Sequence, residues 1–256
     1  MKIALIGQGA IAQFMIEHAQ CHGFEVAAIV LRAGRAPEVS GMKIVHQVAD
    51  LDDDIDMVVD CAGHQALREI GSDVLRAGVD LVTISIGALA DDSVSATLRD
   101  AAKAGGSKLH LASGAIGALD CLRAAKIGTL HEVIYVGRKP PMGWAGSPAE
   151  ATLDLTTLTS GHAVHFEGSA RDAALAYPKN ANVAAAVAIA GIGFDDTKVQ
   201  LIADADVEVN THEIRARGDF GSFTFQIGGE VLPGNPRTSA LAAMSVVSTI
   251  VDLKNA

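Results

Sequence analysis

Short apolar runs alternate with helix-length segments along the first 112 residues of the chain. Each run has the length and the continuous apolar character of a strand buried on both faces of a sheet. The runs lie at residues 3–6, 25–31, 57–62, 81–86 and 108–112, with a weaker one at 45–49. The intervening segments carry apolar residues at helical spacing and end at glycines such as Gly23 and Gly78. This alternation predicts an α/β fold with a doubly wound parallel sheet, in which ligands bind outside the carboxyl ends of the strands.

The pattern changes after residue 118, where strand-like runs follow one another with fewer helices between them. These runs lie at residues 132–137, 199–203, 207–217 and 222–227. They predict a second α/β domain that carries a mostly antiparallel sheet. Alternation is interrupted within 207–217, which indicates a β-bulge or a face that changes from core to pocket. Residues 235–239 are predicted to cap a final helix at 240–253.

The turn behind the first strand carries Gly7, Gly9 and Ala12 in the spacing G-x-G-x-x-A. Gly7 permits a tight strand-to-helix turn, Gly9 lets a pyrophosphate approach the backbone, and Ala12 lets the helix pack close to the strand. Together with Ala10 and Ile11, this turn offers the free N–H groups of a helix start to the anion. A glycine-rich turn of another α/β protein is the alternative. The position directly behind a buried N-terminal strand favours a Rossmann-type dinucleotide site.

The end of the second strand bears on the choice of cofactor. In NAD-selective folds this strand usually ends in Asp or Glu, which binds the ribose hydroxyls. Here Arg32 occupies that place and Arg35 follows, so either arginine could bind the 2′-phosphate of NADP; two solvated loop arginines are the alternative. Cys61 and Ala62 end a later strand and are expected to line the same crevice. The expected cofactor is therefore NAD or NADP.

Composition narrows the class of protein. The chain has 256 residues, of which 49% are hydrophobic, and this content excludes wholesale disorder. The formal net charge of −10 disfavours nucleic acid or an anionic membrane as the main partner. No apolar run reaches the roughly 18 residues of a membrane span. His18, Cys21 and His22 lie close together without a further ligand cluster, so no metal is expected. We expect a soluble, cytoplasmic protein that acts on a small molecule.

Six segments considered together resemble one protein family. They are residues 7–12, 113–120, 138–141, 177–184, 210–214 and 234–239. Their order and spacing are similar to those of L-aspartate dehydrogenases, enzymes that oxidise aspartate to iminosuccinate with NAD or NADP. The resemblance spans essentially the whole chain. It implies a dinucleotide domain of residues 1–117 with 235–256 and a substrate domain of residues 118–234, and we expect a homodimer that feeds pyridine nucleotide biosynthesis.

The resemblance also implies roles for individual residues. By the family pattern, Ala115 and Asn182 contact the cofactor and His212 is the catalytic residue. Asn182 has the alternative of capping the helix rich in Ala and Val that starts there. His212 shares a strand face with Asn210. The chemistry requires such a group, because hydride leaves the α-carbon only when the amine is neutral and a base active near pH 7 must take the ammonium proton.

Lys139 is the candidate that binds the substrate carboxylates, on a loop stiffened by Pro140 and Pro141; a surface charge is the alternative. Two other enzyme classes share the two-domain plan, namely dihydrodipicolinate-reductase-like and homoserine-dehydrogenase-like oxidoreductases. The paired-histidine and K-x-D-x-P-S-G-T type signature of those reductases is not found in this sequence. A sensor that binds a nicotinamide cofactor without chemistry is the alternative from another class, and the polar strand setting of His212 disfavours it.

Overall fold

The computed structural model of the protein describes residues 1–39, 41–178, 180–233 and 235–255. Lys179 and Gly234, which belong to two of the six segments above, lie outside the described residues. The chain forms two compact units, Met1–Gly114 with Ala242–Ala256, and Ala115–Leu241. Among the described residues, no helix combines the length and the apolar character that crossing a bilayer requires.

The first unit is built on a sheet of six parallel strands. Its strands are β1 (Lys2–Ile6), β2 (Glu25–Val30), β3 (Lys43–Val45), β4 (Met57–Asp60), β5 (Asp80–Thr83) and β6 (Leu109–Leu111). Its helices are α1 (Ala10–His18), α2 (His64–Arg76) and α3 (Asp92–Gly105). The strand order is β3-β2-β1-β4-β5-β6, and all neighbours run parallel. This is the order of a dinucleotide-binding sheet, so the predicted doubly wound fold is confirmed.

The core of the first unit explains why its strands are continuously apolar. Ile3 and Leu5 of β1 are fully buried in one cluster with Val59 of β4. The C-terminal helix joins the same cluster through residues such as Val246 and Ile250, which are also fully buried. A strand with helices on both faces has no solvent side, which is why its sequence lacks alternation.

The described residues of the second unit form a mixed sheet and three short α-helices. Its strands are β7 (Leu130–Lys139), β8 (His162–Ser169), β9 (Lys198–Asp204), β10 (Asn210–Gly218), β11 (Gly221–Gly229), β12 (Val231–Leu232) and β13 (Asn235–Ser239). Its helices are α4 (Leu119–Ala125), α5 (Ala170–Ala176) and α6 (Asn182–Ala190), and the C-terminal helix α7 follows at Ala240–Asn255. The main sheet has the order β11-β10-β7-β9-β8. Only the β7–β9 pair is parallel, as expected for a mostly antiparallel sheet.

Three local predictions differ in detail from the structure. The third strand is β3, because residues 43–45 pair with β2, whereas Val48–Asp50 forms a short 3₁₀ turn. The broken alternation within 207–217 arises because β10 begins only at Asn210, so Val207 and Val209 lie outside the strand. The register of β10 is continuous along β11 and shifts against β7 only between Arg217 and Gly218. Residues 235–239 form β13, which pairs with β12 and ends directly before the last helix. The hydroxyl of Ser239 has no hydrogen-bond partner among the described residues, so the predicted side-chain cap is not formed.

Candidate active site

The glycine turn between β1 and α1 has the shape that a pyrophosphate requires. Gly7 has a φ of +90°, and a Cβ added there would lie 2.7 Å from the Cβ of Ala62, so glycine is needed for both reasons. A Cβ added at Gly9 would meet no atom nearer than the carbonyl oxygen of Cys61, at 4.0 Å. The backbone at Gly9 is therefore open to a ligand.

The helix start behind this turn is suited to an anion. Gly9 is the N-cap of α1, makes no side-chain cap bond, and no acidic residue lies in the first turn. Since the first hydrogen bond of the helix runs from Gln13 N to Gly9 O, the N–H groups of Ala10, Ile11 and Ala12 precede the helical ladder. These donors and the helix dipole can hold a phosphate. The turn thus fits the pyrophosphate of NAD or NADP.

The loop behind β2 places Arg32 at the surface. Its guanidinium forms an ion pair with Glu69 of α2, with Nη2 2.8 Å from Oε2, and about half of each side chain is exposed. Arg35 lies 3.5 Å from Glu38 in a second exposed pair. Both arginines are therefore where the sequence placed them, and each has an acidic neighbour that the sequence did not reveal.

A buried glutamine holds the same loop against the glycine turn. Gln8 is 2% exposed. Its side-chain oxygen accepts a hydrogen bond from Glu38 N at 2.8 Å, and its amide nitrogen donates to Ala36 O at 3.0 Å. Gln8 therefore couples the residue between the two motif glycines to the arginine loop.

The strand ends at Cys61 and Ala62 are organised by a buried carboxylate. Asp60 is fully buried and accepts hydrogen bonds from Ala62 N at 3.0 Å, Gly63 N at 3.3 Å and Thr83 Oγ1 at 2.8 Å. Burial raises the pKa of Asp60 and also raises the pKa of the Cys61 thiol well above its ordinary value. Cys61 is therefore held as an unreactive thiol.

Ala115 and Asn182 occupy positions of different kinds. Ala115 is 7% exposed in the loop behind β6. Asn182 is the first residue of α6. The N-cap position is occupied by Ala181, and no side-chain hydrogen bond caps the helix there. The capping alternative for Asn182 is therefore wrong, and the cofactor contact of both residues stays a prediction.

His212 lies in the middle of the sheet of the second unit. It pairs with Gly137 of β7 and Ile227 of β11, and it is 6% exposed. Its Nδ1 lies 2.7 Å from the hydroxyl oxygen of Tyr135. Burial, reinforced by the positive charge of Lys139, lowers the pKa of His212 to about 4. The ring is therefore neutral at pH 7, the state that a proton acceptor needs.

Lys139 is the last residue of β7, not part of the loop that the sequence predicted. Since Gly137 faces His212, Lys139 lies on the same face of the sheet two residues further on. Its Nζ donates to Asn180 Oδ1 at 2.7 Å and lies 4.7 Å from the centre of the Trp144 ring. Burial alone lowers the pKa of Lys139 to about 8, without an offsetting effect from any described carboxylate.

A histidine and two aromatic rings complete the surroundings of this lysine. Tyr177 Oη lies 3.2 Å from Nδ1 of His165, and the His165 ring packs edge-on against Trp144 at 4.4 Å. Nε2 of His165 is buried and has no hydrogen-bond partner among the described residues. Burial, and then the charge of Lys139, lowers the pKa of His165 to about 4. We call Lys139, Trp144, His165, Tyr177 and Asn180 the Lys139 cluster.

The sequence identified two members of this region and missed others. The sequence predicts roles for His212 and Lys139 but none for Tyr135 or His165. Tyr135 could have been found from the strand predicted at 132–137, where it has the same parity as Gly137. His165 belongs to β8, which had no predicted counterpart, and a register shift within β8 sets its position.

The parallel sheet and the glycine turn define a fold of the dinucleotide-binding type, and two family models place the protein among the dinucleotide-dependent oxidoreductases. Residues 5–112 match the model described as "Homoserine dehydrogenase, NAD binding domain". Residues 120–253 match the one described as "Aspartate dehydrogenase, C-terminal". NAD or NADP is accordingly the cofactor.

Full-length relatives agree with the second match. An L-aspartate dehydrogenase of Ruegeria pomeroyi is 53% identical over 98% of this chain and 91% of the relative. One of Ralstonia nicotianae is 41% identical over 98% of this chain and 96% of the relative. The crystal structure of aspartate dehydrogenase from Thermotoga maritima is 26% identical, with a TM-score of 0.76, and covers 100% of this chain and 96% of its own. The chain belongs to the L-aspartate dehydrogenase family.

Proposed function

We propose that this chain oxidises L-aspartate at its α-carbon, giving iminosuccinate that hydrolyses to oxaloacetate and ammonia. NAD or NADP, when bound, supplies the nicotinamide ring that accepts the hydride. The turn at Gly7 and Gly9, with the start of α1, is proposed to hold the pyrophosphate. The side chains of the second unit are proposed to bind the amino acid and to move its proton.

The observation that carries this proposal is the half-buried cation of Lys139, whose pKa is lowered by loss of solvation. A lysine that loses water without gaining a carboxylate is destabilised in its charged form, and an anionic ligand would compensate for that cost. Aspartate brings a second carboxylate, whereas homoserine has a neutral hydroxyl at the corresponding place. The Lys139 cluster, with Asn180 as a further amide, therefore favours a dicarboxylic substrate.

His212 is proposed to take the ammonium proton. It must be neutral to do so, and burial keeps it neutral at physiological pH. His212 lies on the same face of the sheet as Lys139, close enough for the charge of Lys139 to lower the pKa of His212. The proposed proton acceptor and the proposed carboxylate-binding cation are therefore near each other. The same imidazole could then remove a proton from the water that attacks the imine.

A panel of amino acids tests the substrate assignment. We expect aspartate to support cofactor reduction, and glutamate, alanine and homoserine to do so poorly, because only aspartate combines the short side chain with a second negative charge. Initial rates of absorbance change at 340 nm would be compared as kcat/KM. Comparable values for homoserine and aspartate would overturn the assignment in favour of the homoserine-dehydrogenase-like alternative. No reduction with any amino acid would favour the cofactor sensor.

The second test concerns the choice between NAD and NADP. We expect wild-type protein to accept NADP, with a preference for NAD of less than about 100-fold, or about 2.7 kcal/mol at 1.36 kcal/mol per decade. Glu69 holds Arg32 in an ion pair and would repel a 2′-phosphate. Glu69→Gln should therefore tighten NADP binding about three- to tenfold, a modest effect because the ion pair is exposed to solvent. It should change NAD binding less than twofold, because NAD has no 2′-phosphate. Isothermal titration calorimetry with both cofactors measures this.

A matched control comes from the same helix. Asp73 pairs with Arg76 at 3.3 Å and is exposed, so Asp73→Asn removes one negative charge from α2 without touching Arg32. It should leave the ratio of the two dissociation constants unchanged. If Glu69→Gln and Asp73→Asn behave alike, Arg32 does not bind the phosphate.

The wider setting is also a proposal. We propose a cytoplasmic homodimer whose product enters pyridine nucleotide biosynthesis, as the family resemblance implies. Light scattering coupled to size exclusion would distinguish a dimer from a 26.4 kDa monomer.

A further inference from the structure

The environment of His212 contains a partner that the reaction as described does not use. Tyr135 lies on β7 and is 1% exposed. It pairs with Ile214 of β10 and is therefore the diagonal neighbour of His212, which lies two residues before Ile214 on the same strand. Diagonal neighbours across an antiparallel pair are within reach of aromatic side chains. The two rings are nearly parallel, with an angle of 20° between them and 6.0 Å between their centres.

Gly137 makes this contact possible. It lies between the two side chains, opposite His212, and a Cβ added there would be 2.8 Å from the hydroxyl oxygen of Tyr135. The φ of Gly137 is not in the left-handed region, so backbone freedom does not call for glycine at this position. Space for the Tyr135 hydroxyl is therefore the reason for glycine here.

We propose that Tyr135 is the positioning residue of His212, whose hydroxyl accepts a hydrogen bond from Nδ1–H and so leaves the lone pair of the ring on Nε2. This inference rests on the proposed function, in which His212 takes a proton from the substrate ammonium. If the hydroxyl donated to Nδ1 instead, Nε2 would carry the hydrogen and could not accept another. Once Nε2 takes the proton, the Nδ1–H bond to Tyr135 persists in the imidazolium.

A neutral partner suits this histidine. Burial raises the pKa of Tyr135, so its hydroxyl stays protonated and uncharged. A carboxylate in the same place would favour the imidazolium and raise the pKa of His212. Among the described residues, Tyr135 is the titratable group in contact with His212, and Lys139 supplies the charge that lowers the pKa of His212 further and so also favours the neutral ring. Tyr135 thus orients the ring without pre-charging it.

Tyr135→Phe removes only the hydroxyl and tests the proposal. We expect kcat to fall about tenfold, at the lower end of the effect of removing an orienting partner, with KM for aspartate within twofold. Nitrogen-15 NMR of labelled protein near neutral pH should show His212 with Nδ1 protonated in the wild type and a mixture of tautomers in the variant. This readout needs neither cofactor nor substrate.

Gly137→Ala supplies a second, coupled variant. In the wild-type background, the Cβ of the new alanine should displace the Tyr135 hydroxyl and lower kcat. In the Tyr135→Phe background, Gly137→Ala should lower kcat much less. That non-additivity is the signature of a shared hydroxyl. If Tyr135 is purely structural, Tyr135→Phe should lower the melting temperature but leave kcat per folded molecule and the His212 tautomer unchanged. The effects of Tyr135→Phe and Gly137→Ala should then add. A folded Tyr135→Phe protein with these properties overturns the proposal.

The proposed function fails separately from this inference. If His212→Ala keeps turnover, His212 is not the proton acceptor, whatever the tautomer measured. If His212→Ala is inactive but Tyr135→Phe retains wild-type kcat and tautomer, the acceptor stands and Tyr135 has no positioning effect.

Discussion

Replacing His212 with alanine is expected to lower turnover by about 10²–10⁴, the range for a positioned acid–base group. Without the imidazole, the ammonium proton of the substrate loses its proposed acceptor, so the neutral amine forms more slowly, by loss of the proton to water. Cofactor affinity should change little, because the groups proposed to hold the phosphates and ribose belong to the first unit. Stopped-flow measurement of cofactor reduction, with a melting curve on the same preparation, separates lost chemistry from lost folding.

The pH dependence of turnover provides a second test of the role of His212. His212 must be neutral to accept a proton, and its pKa is lowered to about 4, chiefly by burial. Turnover attributable to His212 should therefore be present above this pKa and be lost as pH falls through it. This limb should be absent from His212→Ala.

His131 is the matched control for the alanine variant. It lies on β7 of the same sheet, is exposed and pairs with Asp219 at 3.1 Å. His131→Ala should keep wild-type turnover and the acid limb. A folded His212→Ala protein within threefold of wild type would remove His212 from the mechanism.

Replacing Lys139 with methionine is expected to raise KM for aspartate by about 10²-fold, since truncating one partner of a buried charge pair costs roughly 2–5 kcal/mol. The same variant should be more stable without ligand. A pKa of about 8, against 10.5 for an ordinary lysine, means that burial opposes the charged form in the folded protein. We expect the free energy of unfolding near pH 7 to rise by about 1 kcal/mol, after the loss of the Asn180 bond is included.

The sign of the pH effect follows from the same shift. The folded pKa of Lys139 is lowered, so the destabilisation from its charge is fully present below about 8, declines as pH rises above that value, and is gone only above the ordinary lysine pKa of 10.5. Binding of a dicarboxylate behaves oppositely, because it needs the cation. The dissociation constant of succinate should increase about tenfold per pH unit above the pKa of free Lys139, since only the protonated fraction binds.

Lys198→Met is the control for both effects. Lys198 lies on β9, is 66% exposed and pairs with Glu132 at 2.7 Å, so its loss should leave KM and stability nearly unchanged. If Lys139→Met destabilises the protein and binds succinate like the wild type, Lys139 is a structural lysine and the carboxylate assignment fails.

The chain itself determined the first unit to a large extent. Buried strands such as β1 and β4 are apolar along most of their length, and glycines at 23, 78 and 105 follow or end the helices α1, α2 and α3. Local composition therefore sufficed to predict a parallel sheet. The turn at Gly7 and Gly9 was also legible, because positive φ and a close approach to Ala62 impose glycine on the sequence. Such constraints act within a few residues and therefore leave a local pattern.

The tertiary structure alone decided how distant side chains meet. Tyr135 and His212 are 77 residues apart, and Arg32 and Glu69 are 37 apart, so no periodicity along the chain links either pair. The two prolines after Lys139 predict a loop there, yet β7 extends to Lys139 through its pairing with Ala203 of β9. Strand register and burial fix these contacts, and both depend on packing between segments far apart in sequence. Sequence patterns therefore determined the scaffold and the types of the candidate catalytic residues, whereas cross-strand packing determined the partners and protonation states of those residues.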